Sequence, residues 1–255
     1  MNQANKPAVV FLPGGIQPAA IQYGPLLKVL DSEIQPLLKD LEVYADGTPP
    51  QPYGLMNEVE SLRQASEAAG MGKFHLVAYS GGGAVALAFV GAYPDRVLSL
   101  ALSEPAVIPS RAWYKQEAEY WQQMERVMSL PDSLMMGEFI RLELRDGVPL
   151  PPAPAGDPPP WMAKRPAGMK ALAKAFASYD LPYDRLRLFS KPVYIAVAAL
   201  SNPVELRKAE TLDGLFPDTQ VELYTNRHHF DPPQRAEPER FAQALRSLWA
   251  KAKGA

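Results

Sequence analysis

The sequence predicts an α/β fold: a mostly parallel sheet flanked by helices, with a helical insertion between two of its strands. Short apolar runs rich in β-branched residues alternate with segments of helical period toward both ends of the chain. The stretch KFHLVAYSGGGAVALAFV sets a serine between an apolar strand and an alanine-rich helix. Between about Pro105 and Arg185 the alternation stops.

Taken in order, Ala8 to Leu12 is a short apolar strand running into Pro13-Gly14-Gly15, and a helix-like segment follows around Tyr23 to Leu30. Leu41 to Ala45 reads as a second strand. Leu55 to Ala69 carries apolar residues at helical spacing and stops at Gly70. Phe74 to Tyr79 is the strand before Ser80, and Val97 to Leu102 the next one. Val193 to Ala198 is a strand, Val204 to Leu215 a helix, Val221 to Tyr224 a strand and Arg240 to Ala250 a closing helix. Residues 1–104 and 186–255 therefore form the core and 105–185 the insertion. The insertion holds aromatic- and methionine-rich helical segments (Trp113, Tyr114, Tyr120, Trp121, Met124, Met128, Met135, Met136, Phe139), then the proline-rich connector GVPLPPAPAGDPPPW and a helix near Met169 to Ser178. Packing of the insertion's own core accounts for any single one of these residues. The insertion as a whole reads as a lid over the C-terminal edge of the sheet.

Composition narrows the function. The chain has 255 residues, 47% of them hydrophobic, a net charge of -2 and no cysteine. A core of ordinary size is available. Neither nucleic acid nor an anionic membrane is an expected partner. Disulfides, a thiol nucleophile and cysteine metal sites are excluded. The N-terminus lacks a secretory signal pattern and no apolar stretch reaches membrane-spanning length, which reads as a cytoplasmic protein. No His, Asp or Glu cluster has metal-ligand spacing. Oligomeric state is not legible, and a homodimer stays open.

Chemistry centres on Ser80. A serine on a tight strand-to-helix turn has its hydroxyl exposed, and glycines let helix and strand approach. The G-x-S-x-G pattern appears here as Ala78-Tyr79-Ser80-Gly81-Gly82, with alanine, another small residue, in first place. The competing reading is a phosphate-binding turn with Ser80 as a helix cap, although neither G-x-G-x-x-G nor Gly-Lys-Ser/Thr is present. A general base must be one of three histidines. His75 lies five extended residues before Ser80, about 16 Å along the same strand, and reads as structural. His228 and His229 follow the last strand, on the sheet edge that carries Ser80.

Ser80 followed far downstream by histidine, with PGG after the first strand and His-Phe before a terminal helix, resembles the α/β-hydrolase family over nearly the whole chain. The stretch from Glu58 to Pro105 matches best. The resemblance implies a Ser-His-acid triad. It selects His229, which is followed by Phe230 and then Ala236-Glu237-Pro238-Glu239, with His228 where many members carry glycine. It implies an oxyanion hole from the Gly15 and Gly81 amides, and the absence of two opening strands common in the family. The usual acid position, in VAALSNP, falls on Asn202, which is uncharged. Asn for Asp in such a triad costs about 10⁴ in kcat. Some members carry the acid instead after the preceding strand, where this chain has Glu104 in LALSEP. Zearalenone lactonases are among them, and the PGG loop, SEP turn, AALSNP segment and His-Phe pair are similar to that group. Glu104 is thus the expected acid, with Asp231 its rival and a bracing or capping role its plain alternative.

The expected function is a serine hydrolase of a carboxylic ester or lactone that needs no cofactor, with Trp161 a pocket residue. Aspartate-nucleophile dehalogenases and epoxide hydrolases are set aside because the turn carries serine. C–C bond hydrolysis or lyase chemistry on the same triad, and a ligand-binding receptor without turnover, remain the alternatives.

Overall fold

In the computed structural model, residues 6–107, 115–152 and 156–254 are described. Trp113 and Tyr114 of the insertion lie outside them. Six strands form one parallel sheet: β1 (Ala8–Leu12), β2 (Gln35–Leu38), β3 (Phe74–Tyr79), β4 (Val97–Ser103), β5 (Val193–Ala198) and β6 (Thr219–Tyr224). Their order is β2-β1-β3-β4-β5-β6.

The central strands AVVFL, FHLVAY and VYIAVA are apolar almost without interruption, as strands covered on both faces must be. Alternate residues feed two cores. Val10, Leu12, Phe74, Leu76 and Ala78 face α2 (Leu55–Ala68), α3 (Gly81–Ala92) and α8 (Val204–Asp213). Val9, Phe11, Val77 and Tyr79 face α1 (Ala19–Leu30) and the C-terminal α10 (Pro238–Lys253), which follows the short α9 (Pro233–Ala236). α3 is buried on every side.

The second strand corrects the sequence reading. Leu41 to Ala45 is not extended: it contains a 3₁₀ turn over Glu42–Tyr44, and the edge strand is Gln35–Leu38. An edge strand pairs on one side and stays exposed on the other, so Pro36 is tolerated and no apolar run marks it. Leu41 and Val43 are buried for another reason. The Glu58 carboxylate of α2 accepts from the amides of Glu42 (2.7 Å) and Val43 (2.9 Å) and clamps the turn against the core. Burial, the largest influence on Glu58, raises its pKa.

Between β4 and β5 the chain leaves the sheet for α4 (Ala118–Ser129), α5 (Asp132–Leu142), a 3₁₀ turn at Pro160–Lys164, α6 (Arg165–Ser178) and α7 (Tyr183–Arg187). Val127, Met135 and Met169 make a small core of their own there. Several contacts join this segment to the core, two of them near the site. The Arg165 guanidinium lies 3.8 Å over the Tyr44 ring. The Asn202 amide hydrogen-bonds the Glu143 carbonyl. Among the described residues no helix is long and apolar enough to cross a membrane.

Candidate active site

The turn after β3 holds Ser80 at φ 51°, ψ -118°, a region that costs a side-chain-bearing residue energy. Neighbouring contacts over-determine it. The Ser80 amide donates to Ser103 O (3.0 Å), and its carbonyl accepts from Gly83 (2.8 Å) and Ala106 (2.9 Å). The glycines are explained by close approach. A Cβ on Gly82 would lie 2.5 Å from the Pro13 carbonyl, and one on Gly83 2.7 Å from the Pro105 ring. α3 can therefore start tight against β1 and against the turn after β4. Ala78 is a buried β3 residue, so the G-x-S-x-G departure leaves the turn intact.

Three strand ends bring three sequence-distant groups into one line. Ser80 Oγ is 3.1 Å from His229 Nε2. His229 Nδ1 is 2.8 Å from Glu104 Oε2. Glu104 follows β4 at φ 42°, a second strained position. Its carboxylate accepts from the Ala198 amide (2.7 Å) and from Ser201 Oγ (2.8 Å). With two donors and an imidazole on it, the side chain has little freedom to turn away. The His229 loop is fixed by the Tyr79 hydroxyl, which donates to the His229 carbonyl, while the Tyr79 ring packs 5.1 Å from the imidazole. Burial works against the charged imidazolium. The Glu104 hydrogen bond and the charges of Glu143, Glu104 and Glu205 outweigh it and raise the pKa of His229.

Gly81 is the first residue of α3, so its amide has no intrahelical partner. The Gly15 nitrogen lies 3.5 Å from where a Cβ of Gly81 would stand. The Gly15 loop thus packs against the start of α3, next to Ser80. The Gly15 loop is held by the Tyr44 hydroxyl, which donates to Gly15 O at 2.6 Å. Arg165 of the insertion covers that same tyrosine.

The other candidates are engaged elsewhere. Asp231 pairs with Arg227 at 2.8 Å. Asn202 donates to Leu142 O (2.8 Å) and accepts from the Val204 amide (3.0 Å), so it caps α8 and ties the insertion to the sheet. His228 accepts from the Phe230 amide at 3.2 Å, and burial lowers its pKa. His75 is buried in β3 with Nδ1 2.8 Å from Ser99 Oγ and its ring 5.6 Å from Trp249. Burial holds its pKa down at about 4. A histidine depressed in the folded state binds its proton more readily when unfolded. Its contribution to stability is therefore present above the unfolded value and is lost as pH falls from about 6.5 through 4, about 3 kcal/mol in all. Denaturant melts of wild type and His75→Gln should show a smaller loss between pH 7 and pH 4 in the variant; equal losses would contradict this.

Above Ser80 opens a mostly apolar cavity of about 1260 Å³. Ser80, His229, Gly15 and Gly81 line one end, and Trp121, Met128, Phe139, Trp161 and Met169 of the insertion line much of the rest. Trp161 thus lies on the cavity wall, with Arg165 5.1 Å over its ring. Sequence reading missed a buried polar group on the same cavity wall: Glu143, Glu205 and Lys208, with the Tyr120 hydroxyl donating to Glu143 at 2.7 Å. One ligand atom each from Glu104, Glu205 and His229 lies within 4.8 Å of the others. No local spacing signals this, because Glu104 follows β4, Glu205 opens α8 and His229 follows β6.

Chemically, a hydroxyl backed by an imidazole and a carboxylate, with the Gly15 and Gly81 backbone on the same cavity wall, can attack a carbonyl. A family model described as the alpha/beta hydrolase fold matches residues 7–236. A thermophilic esterase from Thermogutta terrifontis superposes with a TM-score of 0.72 at 21% identity, covering 96% of this chain and 90% of that one. A membrane phospholipase A described as a bacterial virulence factor gives 0.71 at 21% identity, covering 100% and 82%. A haloalkane dehalogenase from Bradyrhizobium elkanii gives 0.68 at 16% identity, covering 100% and 92%. At these identities the likeness is one of fold, shared by different chemistries. No curated protein sequence matches the chain.

Proposed function

From a chain that belongs to the α/β-hydrolase family, we propose a serine hydrolase of carboxylic esters or lactones that works through an acyl-enzyme, similar to the zearalenone lactonases in taking a glutamate after the fourth strand as its acid. The observation that carries this reading is the hydrogen-bonded run Ser80 Oγ–His229–Glu104, opening on the cavity beside the Gly15 and Gly81 amides. Ser80 attacks the carbonyl carbon as His229 Nε2 takes its proton. The tetrahedral oxyanion is held by the two amides. His229 then protonates the leaving alcohol oxygen, which in a lactone remains tethered to the acyl group. Water deprotonated by His229 attacks the acyl-serine, and Ser80 regains its proton. Glu104 orients Nδ1 and offsets the imidazolium charge in both halves. Aspartate-nucleophile dehalogenation does not suit this site, because the turn carries a hydroxyl.

The size and apolar lining of the cavity favour a bulky, largely hydrocarbon substrate, and residues 105–185 act as the lid that shapes it. A panel of p-nitrophenyl esters beside lactones from small to macrocyclic rings tests the reading. Turnover that rises with apolar bulk supports it, and absence of turnover on every ester and lactone contradicts it. Trp161→Ala is expected to lower kcat/KM for the bulkiest accepted substrate about ten- to hundredfold while leaving p-nitrophenyl acetate within about threefold. Equal loss on both would make Trp161 ordinary core.

A further inference from the structure

Beside His229, on the wall of the same cavity, lies a second buried carboxylate that the proposed reaction does not use. Glu205, in the first turn of α8, is 1% exposed, and Lys208 one turn later is 1% exposed as well. Lys208 Nζ lies 2.5 Å from Glu205 Oε1 and donates to the Pro105 carbonyl at 2.7 Å. Pro105 directly follows Glu104. Glu205 also comes within 4.8 Å of both Glu104 and His229.

A buried ion pair is a poor source of stability, because desolvating the two ions offsets most of their attraction. Its position asks for another explanation. Two carboxylates this close, both out of water, cannot both carry charge cheaply, and without a cation one of them takes up a proton. Among the described residues, Glu205 has Lys208 of its own helix, Glu104 after β4 and His229 after β6 within reach, and it interacts electrostatically with Glu143 after α5, Tyr120 of α4 and Tyr79 of β3. Burial is the main influence raising the Glu205 pKa, and Glu104 and Glu143 add to it. Lys208 is the largest influence pulling it back.

We propose that Lys208 is a positioning residue for the Ser80–His229–Glu104 array: its ammonium neutralises Glu205, and so leaves the negative charge of Glu104 for His229. The proposal rests on the serine-hydrolase reading. Lys208 and Glu205 also line the cavity, and the role proposed for Lys208 acts through Glu104 rather than through the substrate, which makes the Glu205–Lys208 pair dispensable as a unit but not singly.

The test is a charge-rescue cycle on an accepted p-nitrophenyl ester, with thermal melts as the folding control. Lys208→Met should lower kcat by at least about tenfold with KM little changed. The double variant Lys208→Met/Glu205→Gln should recover to within about threefold of wild type, since Glu104 is then the one carboxylate of the pair left to ionise. If Lys208 served only to hold the Pro105 carbonyl, the second substitution would bring no recovery, and that result overturns the proposal. A Lys208→Met variant as active as wild type overturns it too, and leaves the serine-hydrolase reading standing. Wild-type protein that neither turns over esters nor labels at Ser80 removes that reading and the proposal with it. Should Lys208→Met fail to fold, Glu205→Gln alone decides. It strands the ammonium near His229, so the acid limb of kcat/KM must move to lower pH by about 0.5 or more, and an unmoved limb contradicts the proposal.

Discussion

Ser80→Ala is expected to lower kcat by about 10³- to 10⁶-fold while leaving the thermal melt within a few degrees of wild type. The side chain's job is on the cavity wall, and its strained backbone is held by main-chain bonds to Ser103, Gly83 and Ala106 that alanine keeps. His229→Ala should fall by the same order, because nucleophile and base act as a unit and removing either removes most of what both do. His228→Ala should lose less than about tenfold. Its ring accepts from the Phe230 amide, so its loss disturbs mainly the local turn. A reversed ranking of the two histidines, read from steady-state kinetics on one ester, would move the base to His228.

Glu104→Gln is expected to lower kcat by about 10²- to 10⁴-fold, with KM changed far less. Glutamine fills the same space and can keep the Ala198 and Ser201 contacts, so the loss reports what Glu104 does for His229. A neutral amide cannot offset the charge that His229 gains in the transition state, and it can hold the imidazole in the wrong tautomer. Asn202→Ala should instead act on stability. It removes the Leu142 and Val204 hydrogen bonds, about 1 kcal/mol each, and should keep kcat within about threefold. Asp231→Asn should also be mild, since that carboxylate faces Arg227. If Glu104→Gln kept near wild-type kcat and Asp231→Asn did not, the acid would be Asp231.

Much of this was legible from the chain because its signals are local. The apolar run before Ser80 and the glycines after it encode one strand, one turn and one helix, and the structure keeps all three. The departure at Asn202 was legible as well, since an amide cannot replace a carboxylate. Its actual work, capping α8 and stitching the insertion to the sheet, was not. The second strand was misplaced because an exposed edge strand needs no apolar pattern, while the neighbouring apolar residues pack in a turn held by Glu58. The Glu205–Lys208 pair was invisible for the opposite reason. Opposite charges three residues apart on a helix read as a solvated face, and only the convergence of loops after β4, β5 and β6 buries them.

The central claim, that Ser80 is an activated nucleophile facing an oxyanion hole, is tested most directly by a fluorophosphonate probe followed by peptide mapping. The account predicts one phosphonyl group per chain, on Ser80, formed rapidly in wild type, slowly in Glu104→Gln and not at all in Ser80→Ala or His229→Ala. Wild-type protein that stays unlabelled, or that is labelled on another residue with Ser80 untouched, would contradict it.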